Sequence, residues 1–498
     1  MRSVLMFAFS CLLILAPLRG QQAPFHEAHG GVGELPLSGG LEFGAEGGTY
    51  RITGGGANIW GTQDAFHFVY RRVSGDFTLT ADVQFVGAGV NAHRKAVLMA
   101  RQDLSAGAAY ADAAVHGDGL SSLQYRAAAG GPTAELRSSV SGPVRLRLQR
   151  RGNQFTMQAG KPDEPLSASG PQAVELSGPI YVGLGVCSHD AKVLETVVFT
   201  NVRLEVAPRY RSKVTIFDLT SRNSKTVYEA EGVVEAPNWS RDGKWLLINA
   251  GGNLYRLPLD GVATPQLISV GEGFRCNNDH DLSRDGKWLS FSASSPSSRQ
   301  SQVFLAAADG SGTKLLTPAA PSYFHGWSPD GKWLAFVGQR NGKYELFRVA
   351  PTGGEELRLT SAGAYDDGPD YSPDGKWIYF NSNRKDGWNI WRIPAAGGGE
   401  GDTLAQQITS DAGEDWFPHP SPNGKRIVFL TFPAGTEGHN GRMPGMTLRM
   451  IKAPGKKPEA NPMVDTLVTF FGGQGSVNVN SWAPDSKRFA YVVYELLP

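Results

Sequence analysis

Imidazoles and carboxylates stand at matched places in the second half of this 498-residue chain. His280 lies in Asn277-Asn278-Asp279-His280-Asp281, and His325 lies in Tyr323-Phe324-His325-Gly326. His419 closes Trp416-Phe417-Pro418-His419, Asp366, Asp367 and Asp370 fall between, and Arg275, Asn478 and Asn480 flank the set. Imidazole and carboxylate together can hold a divalent metal. The candidate metal ligands are His280, His325 and His419. The same groups could instead move protons on a sugar, or simply bind a ligand, as Arg275, Asp279, His280, His325, Asp366, Asp367, His419 and Asn480 acting together. Polar residues that only hydrate a channel would give the same pattern, and the residues alone leave these readings open.

What relates these residues is a short phrase that follows them. Trp239-Ser240-Arg241-Asp242-Gly243-Lys244-Trp245 returns as Leu282-Ser283-Arg284-Asp285-Gly286-Lys287-Trp288, as Trp327-Ser328-Pro329-Asp330-Gly331-Lys332-Trp333 and as Tyr371-Ser372-Pro373-Asp374-Gly375-Lys376-Trp377. Two drifted copies follow, Pro420-Ser421-Pro422-Asn423-Gly424-Lys425 and Trp482-Ala483-Pro484-Asp485-Ser486-Lys487. The copies are 43, 45, 44, 49 and 62 residues apart, measured between Ser240, Ser283, Ser328, Ser372, Ser421 and Ala483. A period of roughly 40–45 residues with strand-turn-strand content marks a β-propeller. Asp-Gly makes the turn, and alternating runs such as Trp333-Leu334-Ala335-Phe336-Val337 make the strands. The last copy stops after its second strand. Val214–Leu219 and Thr226–Ala230, which precede the first copy, supply its missing outer strands. That pairing closes a six-bladed ring and removes its sheet edges. His280 and His325 both sit three residues before the serine, so the repeat predicts that they and Asp366-Asp367 face one cavity at the channel mouth.

The face that carries these residues should also carry Arg340, Arg384 and Lys385 from the hairpins. A long insertion, Phe432 to Met446, adds Glu437, His439 and Arg442. This reads as a basic rim suited to an anionic or polyhydroxylated ligand.

The first half is different. Residues 24–206 alternate apolar and polar without a helical period, as in Asp76–Val83 and Thr196–Leu204, which predicts a β-sandwich. Ala207 to Ser212 reads as a linker to a propeller over residues 213–498. Arg2, the apolar run Val4 to Leu15 and Gly20-Gln21-Gln22-Ala23 read as a signal peptide over residues 1–20, too short to span a bilayer. Lys+Arg is 48 and Asp+Glu 47, a balance that offers no net field to draw nucleic acid. Of three cysteines Cys11 lies inside the apolar run, and the other two, Cys187 and Cys276, fall in different domains, which argues against a structural disulfide or a cysteine metal site. Trp60, His67, Arg101, His116 and Asp118 are the candidate sugar contacts of this half.

The repeats resemble the PD40, or WD40-like, blades of the TolB family of periplasmic six-bladed propellers. The first half is similar to concanavalin-like sandwiches of the DUF1349 type, through Ile59-Trp60-Gly61-Thr62, Phe66–Tyr70, Ser74–Phe77, Lys95–Arg101 and Phe199–Val202. TolB itself has a small α/β domain before its propeller, which this chain lacks. The resemblances imply an all-β, exported protein, periplasmic or secreted, that binds a carbohydrate or an envelope protein, with no membrane span. The alternative is a glycan lyase or hydrolase that uses the His/Asp cluster, with or without a divalent metal.

Overall fold

The repeated phrase is a turn whose serine and aspartate hold each other. Ser240 Oγ donates to Asp242 at 2.6 Å, Ser283 to Asp285 at 2.6 Å, Ser328 to Asp330 at 2.7 Å and Ser372 to Asp374 at 2.7 Å. The same hydroxyl accepts an amide at the start of the next strand, as from Trp333 at 2.9 Å. The glycine takes positive φ, 70° at Gly331; in the drifted sixth copy Ser486 takes that conformation at 58°, a conformation unusual for a residue with a side chain. The turn thus sets where every second strand begins.

The computed structural model describes residues 25–44, 48–142, 145–161, 164–261, 263–459 and 462–497. The expected signal peptide lies outside the described residues. The chain divides into two units, Met1–Pro208 and Arg209–Pro498.

In the second unit, five four-stranded antiparallel sheets follow one another. Their first strands are Val234–Trp239, Arg275–Leu282, Ser322–Trp327, Asp366–Tyr371 and Glu414–Pro420, and we number the blades 1 to 5 in that order. Blade 6 is built from both ends of the unit. Arg488–Leu497 pairs with Arg209–Asp218, from Arg209 opposite Leu497 to Asp218 opposite Arg488, and Asn223–Glu231 adds the outer strand. The innermost strand of blade 6 is reduced to a single bridge, Trp482 to Phe489. The architecture is therefore an all-β six-bladed propeller, closed as the repeats predict. The expected linker is shorter, because Arg209 to Ser212 already belong to the closing strand. Pairing ten residues with Arg488–Leu497 satisfies backbone groups that a linker would leave to water.

Apolar side chains pack between neighbouring blades. Trp239 and Leu246 of blade 1 join Val214, Ala490 and Val492 of blade 6 in one buried cluster. Each first strand of blades 1 to 5 also carries a bulge, seen as a register shift against its partner. Bulges re-aim side chains, and these decide which polar groups meet.

The first unit is a sandwich of a seven-stranded and an eight-stranded antiparallel sheet. Leu79, Leu146, Leu148 and Val197 of one sheet and Leu98, Val182 and Leu184 of the other share one buried core. Two antiparallel sheets over one apolar core agree with the alternating strands of this half. Among the described residues no α-helix occurs, and no helix is long and apolar enough to cross a membrane.

Candidate functional site

The bulges separate residues that the repeat makes equivalent. His280 lies in the regular ladder opposite Phe291, after a bulge that takes up residues 277–279. His325 is itself the extra residue, between Phe324 opposite Phe336 and Gly326 opposite Ala335. The two side chains are therefore aimed differently despite their equal offset from the serine. His280 is fully buried, and its Nε2–H donates to the Ala236 carbonyl of blade 1 at 2.9 Å. Burial pushes its pKa down to about 4.

His325 instead lines a cavity of about 290 Å³ with Asn277, Asn278, Asp279, Tyr323, Val337, Tyr344, Tyr365, Asp367, His439, Asn440 and Gln474. Blades 2, 3 and 4 contribute the first ends of their inner strands, and the blade 5 insertion contributes His439 and Asn440. His325 Nε2 lies 3.2 Å from Asp367 Oδ1, and His439 Nε2 lies 3.8 Å from Asp367 Oδ2. Asn478 of blade 6 reaches past blade 1 to donate to Asp279. Beneath His325 the Phe417 ring stacks at 6.0 Å. Phe417 sits at φ 54°, a strained backbone that costs on the order of 1–3 kcal/mol. Gly368, at φ 60°, donates its N–H to Asp367 at 2.7 Å; a Cβ there would come 2.7 Å from Asn381.

The charges are tuned by their neighbours. Burial opposes the charged form of His325, but the hydrogen bond and charge of Asp367, with the charge of Asp279, outweigh it and raise its pKa. Burial likewise opposes ionised Asp367, yet His325, His439 and the Gly368 amide hold it below the ordinary range. Asp279 is pushed up to about 6, first by burial and then by the neighbouring charge of Asp367. His439 is lowered, chiefly by burial. One side of the cavity is aromatic: Tyr344 and Tyr365 stack at 4.8 Å, Tyr365 meets Trp388 edge-on at 5.1 Å, and His439 lies 4.2 Å from the Trp416 ring.

Of the predicted ligand-binding residues, the fold brings Asp279, His325 and Asp367 together in this cavity, and it places the others elsewhere. Asp366 forms a buried ion pair with Arg384 at 2.7 Å. His419 Nδ1–H donates to Asp370 at 3.2 Å, and Asn480 donates to the same carboxylate oxygen at 2.8 Å from across the ring. Arg275 is exposed beside Gly252. The three histidines offered as one metal set therefore have three different partners: Ala236, Asp367 and Asp370. The arginines of the expected basic rim are paired with carboxylates, whereas Lys385 is exposed. Arg340 pairs with Glu356 at 2.7 Å, Arg384 with Asp366 and Arg442 with Glu235 at 2.6 Å.

Tyr323, Tyr344, Tyr365 and Gln474 carried no signal in the sequence that set them apart from strand and loop residues. His439 was legible only as a member of the long insertion.

In the first unit Arg101 is fully buried, 3.4 Å from Asp64, and donates to the Asp103 and Ser105 carbonyls. Its role is structural. His67 Nε2 faces His29 Nδ1 at 3.1 Å. Trp60 is partly exposed, with the Lys95 ammonium 5.3 Å from its ring. His116 and Asp118 lie with His93, so that one ligand atom from each falls within 4.8 Å of the others.

This propeller geometry has relatives. A model of the TolB beta propeller domain, PD40, matches residues 319–443. The uncharacterized protein Atu1656 of Agrobacterium fabrum (strain C58) is 40% identical over 296 residues, 59% of this chain and 97% of that protein. A candidate TolB from Agrobacterium tumefaciens, known as a solved structure, is 39% identical, with a TM-score of 0.53 over 58% of this chain and 99% of its own. The crystal structure of TolB from Acinetobacter baumannii is 17% identical, with a TM-score of 0.39 over 64% of this chain and 79% of its own. The chain belongs to the TolB-type β-propeller family.

Proposed function

We propose that this protein is an exported recognition propeller. Its cavity takes one small polyhydroxylated unit, such as a sugar residue of an envelope glycan or glycoconjugate, in the periplasm or outside the cell. The observation that carries the proposal is the cavity lining. Amides from Asn277, Asn278, Asn440 and Gln474 supply donors and acceptors, carboxylates from Asp279 and Asp367 accept hydroxyls, and the Tyr344–Tyr365 stack offers an apolar face. A mostly polar lining with a few aromatic rings matches a hydrated, ring-shaped ligand, and about 290 Å³ lies at the small end of ligand sites. Export rests on the leader-like residues 1–20 and on the resemblance to periplasmic propellers. The concanavalin-like character of the first domain would add a second glycan contact.

One observation favours acid–base chemistry on the same ligand. Asp279 is pushed up to about 6 while Asp367 is held low, the divergence that lets one carboxylate give a proton and the other stay ionised.

A panel of mono- and oligosaccharides tested by calorimetry on the full chain decides between these outcomes. A binder whose affinity falls roughly tenfold or more in Tyr365→Ala and Asp367→Asn supports recognition. Turnover of that binder, lost in Asp279→Asn, supports the enzyme. A panel with no binder, or with binding unaffected by these variants, overturns both.

A further inference from the structure

The first unit holds a cluster that recognition by the propeller does not use. His93, His116 and Asp118 converge; the His93 ring stands 5.8 Å from that of His116 and 5.7 Å from that of His189. We propose that these residues form a zinc-class metal site, with His93, His116 and Asp118 as ligands and His189 in reach of the fourth position.

The backbone brings these residues together for structural reasons. The turn after His116 is zipped to the loop that carries His93: Gly117 N–H donates to the Arg94 carbonyl and Asp118 N–H to the Ala92 carbonyl, both at 2.9 Å. These bonds fall on either side of His93 and fix it beside Asp118, with Nδ1 3.8 Å from Oδ2. Gly117 makes the approach possible, since a Cβ there would lie 2.7 Å from the Arg94 side chain. Arg94 is in turn anchored to Glu195 at 2.7 Å. Asn91 ties in the third loop by donating to the His189 carbonyl at 3.3 Å.

The independent sign of a ligand is His116. The residue is only 6% exposed, and its Nδ1 is buried with no hydrogen-bond partner, while Nε2 faces the Gln124 side-chain amide at 3.2 Å. A buried polar nitrogen without a partner is expensive, and a cation would satisfy it. A metal on Nδ1 requires the Gln124 amide, whose nitrogen faces Nε2 and whose oxygen accepts from Lys95 at 3.3 Å, to turn over and put its oxygen on Nε2–H. Lys95 keeps the Ile59 carbonyl at 2.7 Å, and the turned amide gives the outer support common to metal-bound histidine. Two or three imidazoles and one carboxylate suit Zn²⁺ better than Mg²⁺ or Ca²⁺. Tetrahedral bonds of about 2.0–2.1 Å require ligand atoms roughly 3.3 Å apart, so the cluster must contract. His93 and Asp118 have side chains 56% and 39% exposed and can supply that movement. The bound ion would clasp the three loops together.

Zn²⁺ alone, added to the untagged full-length chain in equilibrium dialysis with metal analysis, tests the site. The wild type should hold one equivalent and melt at a higher temperature with zinc than without. His93→Ala, His116→Ala and Asp118→Asn should each weaken binding at least about tenfold, and Asp367→Asn in the propeller should leave it unchanged. If His116→Ala fails to fold, His93→Ala and Asp118→Asn, both at exposed side chains, carry the test. A wild type that holds no stoichiometric zinc, or wild-type affinity in those two variants, overturns the proposal.

Discussion

His325 and Asp367 meet across the boundary between blades 3 and 4, Nε2 to Oδ1 at 3.2 Å, each more than nine-tenths buried. Neither charge would be stable there alone, because burial disfavours both ionised forms. Asp367→Asn removes the partner that offsets burial for His325. The His325 pKa should then drop below its ordinary value, and NMR titration of the ring would show it. A ring that still titrates as in the wild type would mean that Asp279 alone sustains the charge.

His280 should make the propeller acid-sensitive. It is held neutral, with a folded pKa of about 4 against an unfolded value of 6.5. The unfolded chain therefore binds the proton first as pH falls. Stability from this residue is fully present above about 6.5 and is lost as pH drops toward 4, by about 3 kcal/mol in all. His280→Gln keeps a donor for Ala236 and should flatten that slope. Melting temperatures at pH 7.5 and pH 4.5, compared between variant and wild type, measure it.

Arg384 should matter for folding more than for binding. Its guanidinium lies 2.7 Å from Asp366 and 3.4 Å from Asp402, both buried carboxylates. Arg384→Ala leaves two acids without their cation and should cost about 3–5 kcal/mol. Urea denaturation of the full chain provides the number.

Removing residues 213–230 should strip blade 6 of its outer strands. The edge of Arg488–Leu497 would then be bare, and aggregation with a large loss of melting temperature is expected. A shortened chain that melts like the intact one would show that the pairing contributes little.

The repeat made the propeller and its closure readable, because each blade restates the same turn and strands. The site was less readable, and the reason is local. Counting back from Ser283 and Ser328 puts His280 and His325 at one position, but an inserted bulge residue shifts the backbone in one blade relative to the other. Asp367 was legible as a carboxylate near the inner strand. A cavity shared with His325 was expected for Asp366 and Asp367 alike; that Asp367 alone pairs with His325 while Asp366 turns to Arg384 was not legible. His439 comes from an insertion of no fixed register, and nothing in its neighbours announced that it would fold back over Asp367.

The closing strand also fixes the order of events in biosynthesis. Arg209–Asp218 emerges from the ribosome early, yet its partner Arg488–Leu497 lies about 280 residues later. Blades 1 to 5 can form sheets as they appear, from contacts close in sequence. The sixth cannot, and its first-made strand must wait with an open edge until the far strand has been synthesised. A chain that ends before Arg488 leaves Arg209–Asp218 without that partner and the ring unsealed.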